Sequence, residues 1–528
     1  MITQTLIKQG AYYDSVTLMQ VAQAIVELEG IEDAAVVMGT PANKGILENA
    51  NLLTAEARDA SADDLVVAVR GNTEDHVGHA IAQVEQELQS SRAPQEADAT
   101  APRPKTVAAA VDQQPDSNIA IVSVAGRYAA GVARDALKGG LHVFLFSDNV
   151  SVEDEVALKQ FGRERGLLVM GPDAGTAIVN GIALGFANSV LTTPPAPGGV
   201  GIVAASGTGL QAVTSSLAKQ AIGITQAVGT GGRDLSLEVG GIMMIEALKA
   251  LQADPYTRTL LLVSKPPSTE VATEVLAQLQ ESEKLAVVCF LGGKRATIEA
   301  SGAIAATTLE EAALIAAEVV RDGDPRRVLK SLKKRDRQLQ AQAETLKAGL
   351  SKKQRYFRGL FSGGTFCYEA QLILGKMLGR KQIMSNAPLD KVNELRDANQ
   401  SEGHTAVDLG EDEFTVGRLH PMLDPTLRNR RIIQEAHDPE TAVIYLDIVL
   451  GYGVHPDPAG AAVDTIREAQ TYLDSKGRRV VFMAHVCGTS TDPQNAIAQE
   501  AKLRKAGVLV MPSNAAAMRL AGYILRPA

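Results

Sequence analysis

Twice in this chain an apolar run stops at a cluster of small residues and then resumes at helical spacing. In GVGIVAASGTGLQAVTSSLAKQA, residues 200–205 read as a buried strand, Ser206, Gly207, Thr208 and Gly209 as a turn, and the remainder as a helix. In YFRGLFSGGTFCYEAQLILGKML the break falls at Ser362, Gly363, Gly364 and Thr365. A strand that feeds a helix directly leaves the first backbone N–H groups of that helix unpaired, and with the helix dipole these make an anion site. Glycine lets an oxyanion approach the backbone, and the serine and threonine hydroxyls add donors. One such turn alone reads more readily as a plain helix cap. Two in matched positions favour a pair of helix amino termini pointing at one phosphate.

The surroundings of both turns alternate strands with helices. After a Pro-, Ala-, Gln- and Asp-rich stretch, NIAIVSVAG, HVFLFSD and LLVMGPDAGT are apolar runs separated by helical patterns, as in a parallel sheet covered on both faces. This is the pattern of a Rossmann-type doubly wound domain. Its ligands sit beyond the carboxyl ends of the strands, where Asp148, Asn149 and Asp173 fall. GIVAAS, TLLLVSKPP and LAVVCFLGG continue the alternation in a second unit, and GLFSGG, TAVDLG, AVIYLDIVLG, RVVFMAHVCG and VLVMPS in a third. The expected organisation is an α/β chain with a small α/β module (1–86), a flexible linker (87–117), a Rossmann-like domain (118–198), a flavodoxin-like domain (199–322), a basic connecting helix (323–355) and a second flavodoxin-like domain (356–528). The two turn-bearing units read as repeats of one domain type. The basic helix reads as a connector with a solvated charged face, with anion binding as its rival.

Composition narrows the partners. With 528 residues, 45% of them hydrophobic, and a net charge of -9, the chain is a multi-domain globular protein without an electrostatic footprint for nucleic acid. Cys289, Cys367 and Cys487 stand apart with no CxxC, so neither a disulfide framework nor a zinc site is expected. The amino terminus carries no signal pattern and no apolar run reaches membrane-spanning length, so the expected location is cytoplasmic, with no membrane partner.

GPDAGTAIVNGIALGFAN, AASGTGLQAV and FSGGTFCYEA resemble segments of the succinyl-CoA synthetase superfamily. Together with YYDSVTLM, MGTPANKGIL, VSKPPS, GTGGRDLS, DLGEDEFTVGRLHPMLDPTLRN and VLGYGVHPDPAG, they resemble the FdrA-like proteins over essentially the whole chain outside the linker. The resemblance implies an α-subunit-like half fused to a β-subunit carboxyl-terminal-like domain, with helices from the two halves bracketing one phosphate site. The superfamily's ligases phosphorylate a histidine in a GHAGA-like segment; the counterpart here, Glu299-Ala300-Ser301-Gly302-Ala303, has none. Residues 325–355, a basic helical stretch far below domain size, separate the halves where the ligases carry a nucleotide-loading module.

A phosphate site without a histidine to phosphorylate implies a diffusible acyl phosphate. The resemblance implies a subunit of an oxamate-type carbamoyltransferase of allantoin-type purine catabolism, assembling with companion subunits into an oligomer and acting on carbamoyl phosphate and an oxamate-like acceptor, with no required cofactor. A CoA-using acyl-CoA synthetase-like subunit is the rival, which leaves CoA binding open at Asp148 and Asn149; a non-catalytic scaffold is the third reading. Among further candidates, Arg233 and its neighbour Asp234 read as a carboxylate clamp or a surface ion pair. Lys265, at a strand end before two prolines, reads as an anion contact or a solvated lysine. Arg418, His420, Asp424 and Arg428 gather in a prolyl stretch read as a non-helical loop, with His420 as acid, base or carbonyl-orienting donor. His455 follows a Gly turn near the expected phosphate. Cys487 reads as a small buried residue, and no motif argues for a metal.

Overall fold

The computed structural model describes residues 2–526 except 12, 14, 27, 91–103, 125, 193–197, 416 and 417. It divides into two compact units: Met1–Gln113 with Asp412–His420, and Gln114–Glu411 with Pro421–Ala528.

The first unit is built on an antiparallel sheet in the order Ile2–Lys8, Leu65–Gly71, Ile31–Met38. Its central strand, LVVAVRG, is apolar on both faces because both are covered. Leu65, Val67 and Val69 pack with Leu18, Ile25, Val77 and Val84 of the helices Ser15–Val26 and Glu74–Ser90. Val66 and Ala68 point the other way, into Leu47, Leu52 and Ala57. The linker expected over 87–117 is shorter than the sequence implied. The helix Glu74–Ser90 runs into it and Val107–Gln113 forms a further helix, while 91–103 lies outside the described residues.

The second unit begins with three parallel strands, Ile119–Val122, His142–Leu145 and Val169–Met170, alternating with the helices Gly126–Lys138 and Val152–Arg163. The hairpin Thr176–Val179 and Ile182–Gly185, expected within the Rossmann-like domain, instead extends the next sheet, pairing antiparallel with Ile224–Gly229 at Ala227 and Ile178. That seven-stranded sheet runs Ile304–Ala305, Leu285–Phe290, Thr257–Ser264, Gly199–Ala205, Ile224–Gly229, then the hairpin. A wholly parallel six-stranded sheet runs Ile383–Met384, His404–Asp408, Tyr356–Phe361, Thr441–Val449, Val481–Cys487, Leu509–Met511. Counted from the strand before the turn, the seven-stranded sheet contains the flavodoxin-like order 2-1-3-4-5, and the six-stranded sheet has the same order once the two-residue edge strand Ile383–Met384 is set aside.

Ile202 and Ala204 face one core while Val203 and Ala205 face another, which is why this strand reads as an unbroken apolar run. One of these cores is continuous across both flavodoxin-like sheets. Leu210, Val213 and Leu217 of the helix Gly207–Lys219 share it with Phe366, Ala370 and Leu374 of the helix Gly364–Leu378. Each fully buried leucine there stabilises the arrangement by roughly 1.5–3 kcal/mol. The basic connector is the helix Pro325–Lys347, started by Asp324, whose side chain accepts from the Arg326 N–H, and by proline at its first position. It docks through Val328, Leu339 and Ala343 and through a hydrogen bond from Tyr523 Oη to Asp336 Oδ2 (2.6 Å).

Candidate functional site: two facing helix amino termini

The two turns meet. Ser206 Oγ accepts from the Gly209 N–H (2.9 Å) and lies 2.6 Å from Thr365 Oγ1. A Cβ added at Gly363 would stand 2.7 Å from Thr208 Cγ2, so glycine is what permits this approach. The backbone N–H groups of Gly207, Thr208, Gly364 and Thr365 have no hydrogen-bond partner among the described residues. The Ser206 and Thr365 hydroxyls hold two hydrogens, and their mutual bond consumes one. The other is left for a ligand. Gly207 and Gly364 are half-buried where the two helices begin, while Ser206, Thr208 and Thr365 are buried.

Ser362 and Gly363 do not join this donor set, contrary to the expectation that they bind phosphate. Asp447 Oδ1 accepts from the Ser362 N–H (2.7 Å) and Oγ (2.8 Å), and Oδ2 accepts from the Gly363 N–H (2.8 Å). Asp447 lies fully buried in the strand Thr441–Val449, so the fold itself supplies an anion to the first donors of the second helix. Arg428 Nη1 donates to the Asp447 carbonyl (2.7 Å) and stands 3.8 Å from its Oδ1. Burial pushes the Asp447 carboxyl up, against Arg428 and the Ser362 and Gly363 donors. The signal for this was a single Asp in the apolar run AVIYLDIVLG.

Asp408, also absent from the expected site, ends the strand His404–Asp408 beside the same helix. Its Oδ1 accepts from the Gly410 N–H (3.0 Å). A Cβ on Gly364 would meet Asp408 Oδ2 at 2.5 Å and Lys265 Nζ at 3.8 Å. Burial pushes the Asp408 carboxyl up to about 7, with Glu411 and Asp447 acting in the same direction and Lys265 against it. Lys265 stands half-buried just past the strand Thr257–Ser264, and its ammonium makes no hydrogen bond or ion pair among the described residues.

The remaining candidates are dispersed. Arg233 is held by Glu155 Oε2 (Nε, 3.0 Å) and the Val150 carbonyl (Nη2, 2.8 Å), so two of its three nitrogens are engaged by the chain itself. Behind it the buried Lys159 ammonium binds Glu155 Oε1 (2.7 Å), Asp234 Oδ1 (2.8 Å) and the Thr230 carbonyl (2.9 Å), a fully buried charge network that composition does not reveal. Asp148 and Asn149 are exposed at a strand end, as is Asp173. Arg418 and His420 belong to the unit containing Asp412–His420, Asp424 and Arg428 to the other.

The non-helical loop expected at 418–428 ends early, because Asp424 Oδ1 accepts from the Thr426 N–H (2.9 Å) and Oγ1 (2.6 Å) and starts the helix Thr426–His437, which carries Arg428. Burial pushes the His420 imidazole down to about 4, so it is neutral at pH 7. His455 Nδ1 accepts from the Asp457 N–H (3.0 Å), which puts the proton of the neutral ring on Nε2. All three cysteines are free and buried, and burial pushes the Cys487 thiol up to about 12.

Comparison with known proteins places these parts. A CoA-ligase family model matches residues 360–524, a CoA binding domain model residues 196–292, and an "AllF, heavy metal-associated domain" model residues 1–104. The chain is 41% identical over 518 residues to the uncharacterized protein YahF of Escherichia coli (strain K12), covering 97% of each. It is 29% identical over 187 residues to the alpha subunit of the ADP-forming succinate–CoA ligase of Staphylococcus epidermidis, across 34% of this chain and 58% of that one. Among solved structures, the dinucleotide-forming acetyl-coenzyme A synthetase 1 of Ca. Korarchaeum cryptofilum, in complex with phosphate and ADP, aligns at 15% identity and a TM-score of 0.34, over 82% of this chain and 86% of that one.

The amino-terminal unit does not fit a heavy metal. The chain's cysteines, Cys289, Cys367 and Cys487, lie outside it, and the described residues contain no group of three or more His, Cys, Asp or Glu side chains placed to hold a metal ion.

Proposed function

The chain belongs to the FdrA-like family of the succinyl-CoA synthetase superfamily, and from that premise we propose that it is the acyl-phosphate-binding subunit of an oxamate-type carbamoyltransferase. The observation that carries this reading is the 2.6 Å contact between Ser206 and Thr365, which joins two helix amino termini whose N–H groups at Gly207, Thr208, Gly364 and Thr365 lack partners. Such an array holds the phosphoryl oxygens of carbamoyl phosphate and stabilises the charge that grows on the departing phosphate. Lys265 adds a cation beside Gly364. The segment 299–303 offers no histidine to take the phosphoryl group, so the acceptor amide or amine attacks the carbamoyl carbon directly and inorganic phosphate leaves. Companion subunits, oligomeric assembly, a cytoplasmic location and a place in allantoin-type purine catabolism are parts of the same proposal.

The CoA-ligase and CoA binding domain matches favour a second reading, an acid–CoA ligase-like subunit. The loop Ser147–Asn149, where CoA contacts are expected, carries backbone acceptors close to Gly126. Ser147 Oγ takes the Val124 N–H (2.9 Å), and a Cβ on Gly126 would meet the carbonyl oxygens of Asp148 and Asn149 at 2.4 and 2.5 Å, so acceptors crowd the loop.

Calorimetric titration of the full chain with carbamoyl phosphate and with CoA, repeated on Gly207→Asp, separates the two. At Gly207 an added Cβ meets nothing nearer than 4.0 Å, and a carboxylate at the start of a helix favours folding while it repels phosphate. The transferase reading expects carbamoyl phosphate binding that the substitution abolishes. CoA binding that survives the substitution, with no response to carbamoyl phosphate, overturns it.

A further inference from the structure

We propose that Asp408 is a specificity-determining acceptor, whose free carboxylate oxygen binds an N–H of the acyl group and selects a carbamoyl over an acetyl phosphate. The proposal rests on the acyl phosphate reading of the two helix ends. Asp408 is 3% exposed, its Oδ1 is fixed by the Gly410 N–H, and its Oδ2 has no hydrogen-bond partner among the described residues. That oxygen is aimed at the start of the second helix, 2.5 Å from where a Cβ of Gly364 would stand. Asp408 thus brings a carboxylate oxygen without a donor of its own to the unpaired N–H groups of the second helix, while burial, ahead of Glu411, raises the carboxyl to about 7.

The neighbouring groups make the complementarity specific. Gly364 and Thr365 offer N–H donors and Lys265 a cation, all of which suit phosphoryl oxygens. The Asp447 oxygens are already engaged by Ser362 and Gly363. Ionised, above its pKa of about 7, Asp408 Oδ2 is therefore an acceptor in a mouth of donors, and next to a phosphate it is repulsive unless the ligand brings a hydrogen to it. The amino group of carbamoyl phosphate brings two; the methyl group of acetyl phosphate brings none. Sites built around a substrate N–H reject the analogue that lacks it, because the acceptor is then buried unpaired.

The test is titration of the full chain with carbamoyl phosphate, acetyl phosphate and inorganic phosphate, on the wild type and on Asp408→Asn. The asparagine keeps an oxygen for Gly410 and turns an amide donor toward the ligand. The expected result is a wild-type preference for carbamoyl over acetyl phosphate of about 100-fold, the cost of one unsatisfied acceptor, lost in the variant, with inorganic phosphate affinity unchanged or improved. Equal wild-type affinities for the two acyl phosphates overturn the proposal while leaving the anion site intact. A variant that weakens all three ligands alike also overturns it. Failure of the wild type to bind any of the three overturns the anion site itself. The wild-type comparison stands even where the variant does not fold.

Discussion

Ser206 Oγ and Thr365 Oγ1 stand 2.6 Å apart although the residues are 159 positions apart in the chain. Their bond ties the amino termini of helices from two different sheets, so its strength is measurable as a coupling. Ser206→Ala loses both this bond and the cap on Gly209, about 2 kcal/mol together, and Thr365→Val loses about 1 kcal/mol. In a double-mutant cycle read by chemical denaturation, the pair is expected to cost about 1 kcal/mol less than the sum of the singles. Strict additivity would show that the hydroxyls do not bond.

Asp447 and Arg428 form the internal counterpart of the proposed ligand, a buried carboxylate seated on Ser362 and Gly363 with a buried guanidinium behind it. Removing one partner strands the other, so Asp447→Asn and Arg428→Met are each expected to destabilise by about 3–5 kcal/mol. The double variant is expected to cost well under the sum, because neither charge is then left alone. Denaturant midpoints of the three variants check this, and full additivity sinks it.

The parts of this site that local pattern specifies were legible in the sequence. Both strand–turn–helix devices around Ser206 and Ser362 formed, and the strands around them alternate with helices as their apolar runs require. What the pattern does not contain is which strand lies beside which turn. Asp447 and Asp408 reach the second turn because Thr441–Val449 and His404–Asp408 flank Tyr356–Phe361 on either side, a relation between segments far apart in the chain. A carboxylate in an apolar strand announces a partner without naming it, so the sequence alone leaves Ser362 and Gly363 as ligand donors, whereas their N–H groups are spent on Asp447. The hairpin Thr176–Val179 with Ile182–Gly185 joins the seven-stranded sheet for the same reason, since its antiparallel register with Ile224–Gly229 is tertiary. The prolines around Arg428 read as a loop, whereas the Asp424–Thr426 bond starts a helix that carries it.

Lys159 and Arg233 bind the same Glu155, yet their environments differ. The Lys159 side chain is 0% exposed and that of Arg233 46%. Lys159→Met leaves Glu155 and Asp234 without their buried cation and is expected to cost about 3–5 kcal/mol. Arg233→Gln, at a half-exposed pair screened by water, is expected to cost under about 1 kcal/mol. If Arg233 also clamps a substrate carboxylate, the glutamine variant loses affinity for the acceptor at nearly unchanged stability. Measuring both quantities on the one variant separates a clamp from a brace.

His404 sets a pH dependence whose sign follows from its bond. Its Nδ1 accepts from the Phe357 N–H (3.2 Å), which requires the neutral ring, and burial, helped by Arg358, pushes its pKa down to about 4. In the unfolded chain the imidazole titrates near its ordinary value of about 6.5. The folded pKa is therefore depressed, so the unfolded chain binds the extra proton between those values. The stabilising contribution is complete above about pH 6.5 and is lost as pH falls toward about 4, at about 1.4 kcal/mol per pH unit. His404→Gln retains an acceptor for Phe357 and cannot titrate. The wild type is expected to lose stability relative to this variant between pH 6.5 and 4.5, with no such drift between pH 8 and 7, when denaturant midpoints of the two are compared across that range. A difference between them that stays constant with pH would mean that His404 is free to charge in the fold, and that the Phe357 N–H does not hold the ring neutral.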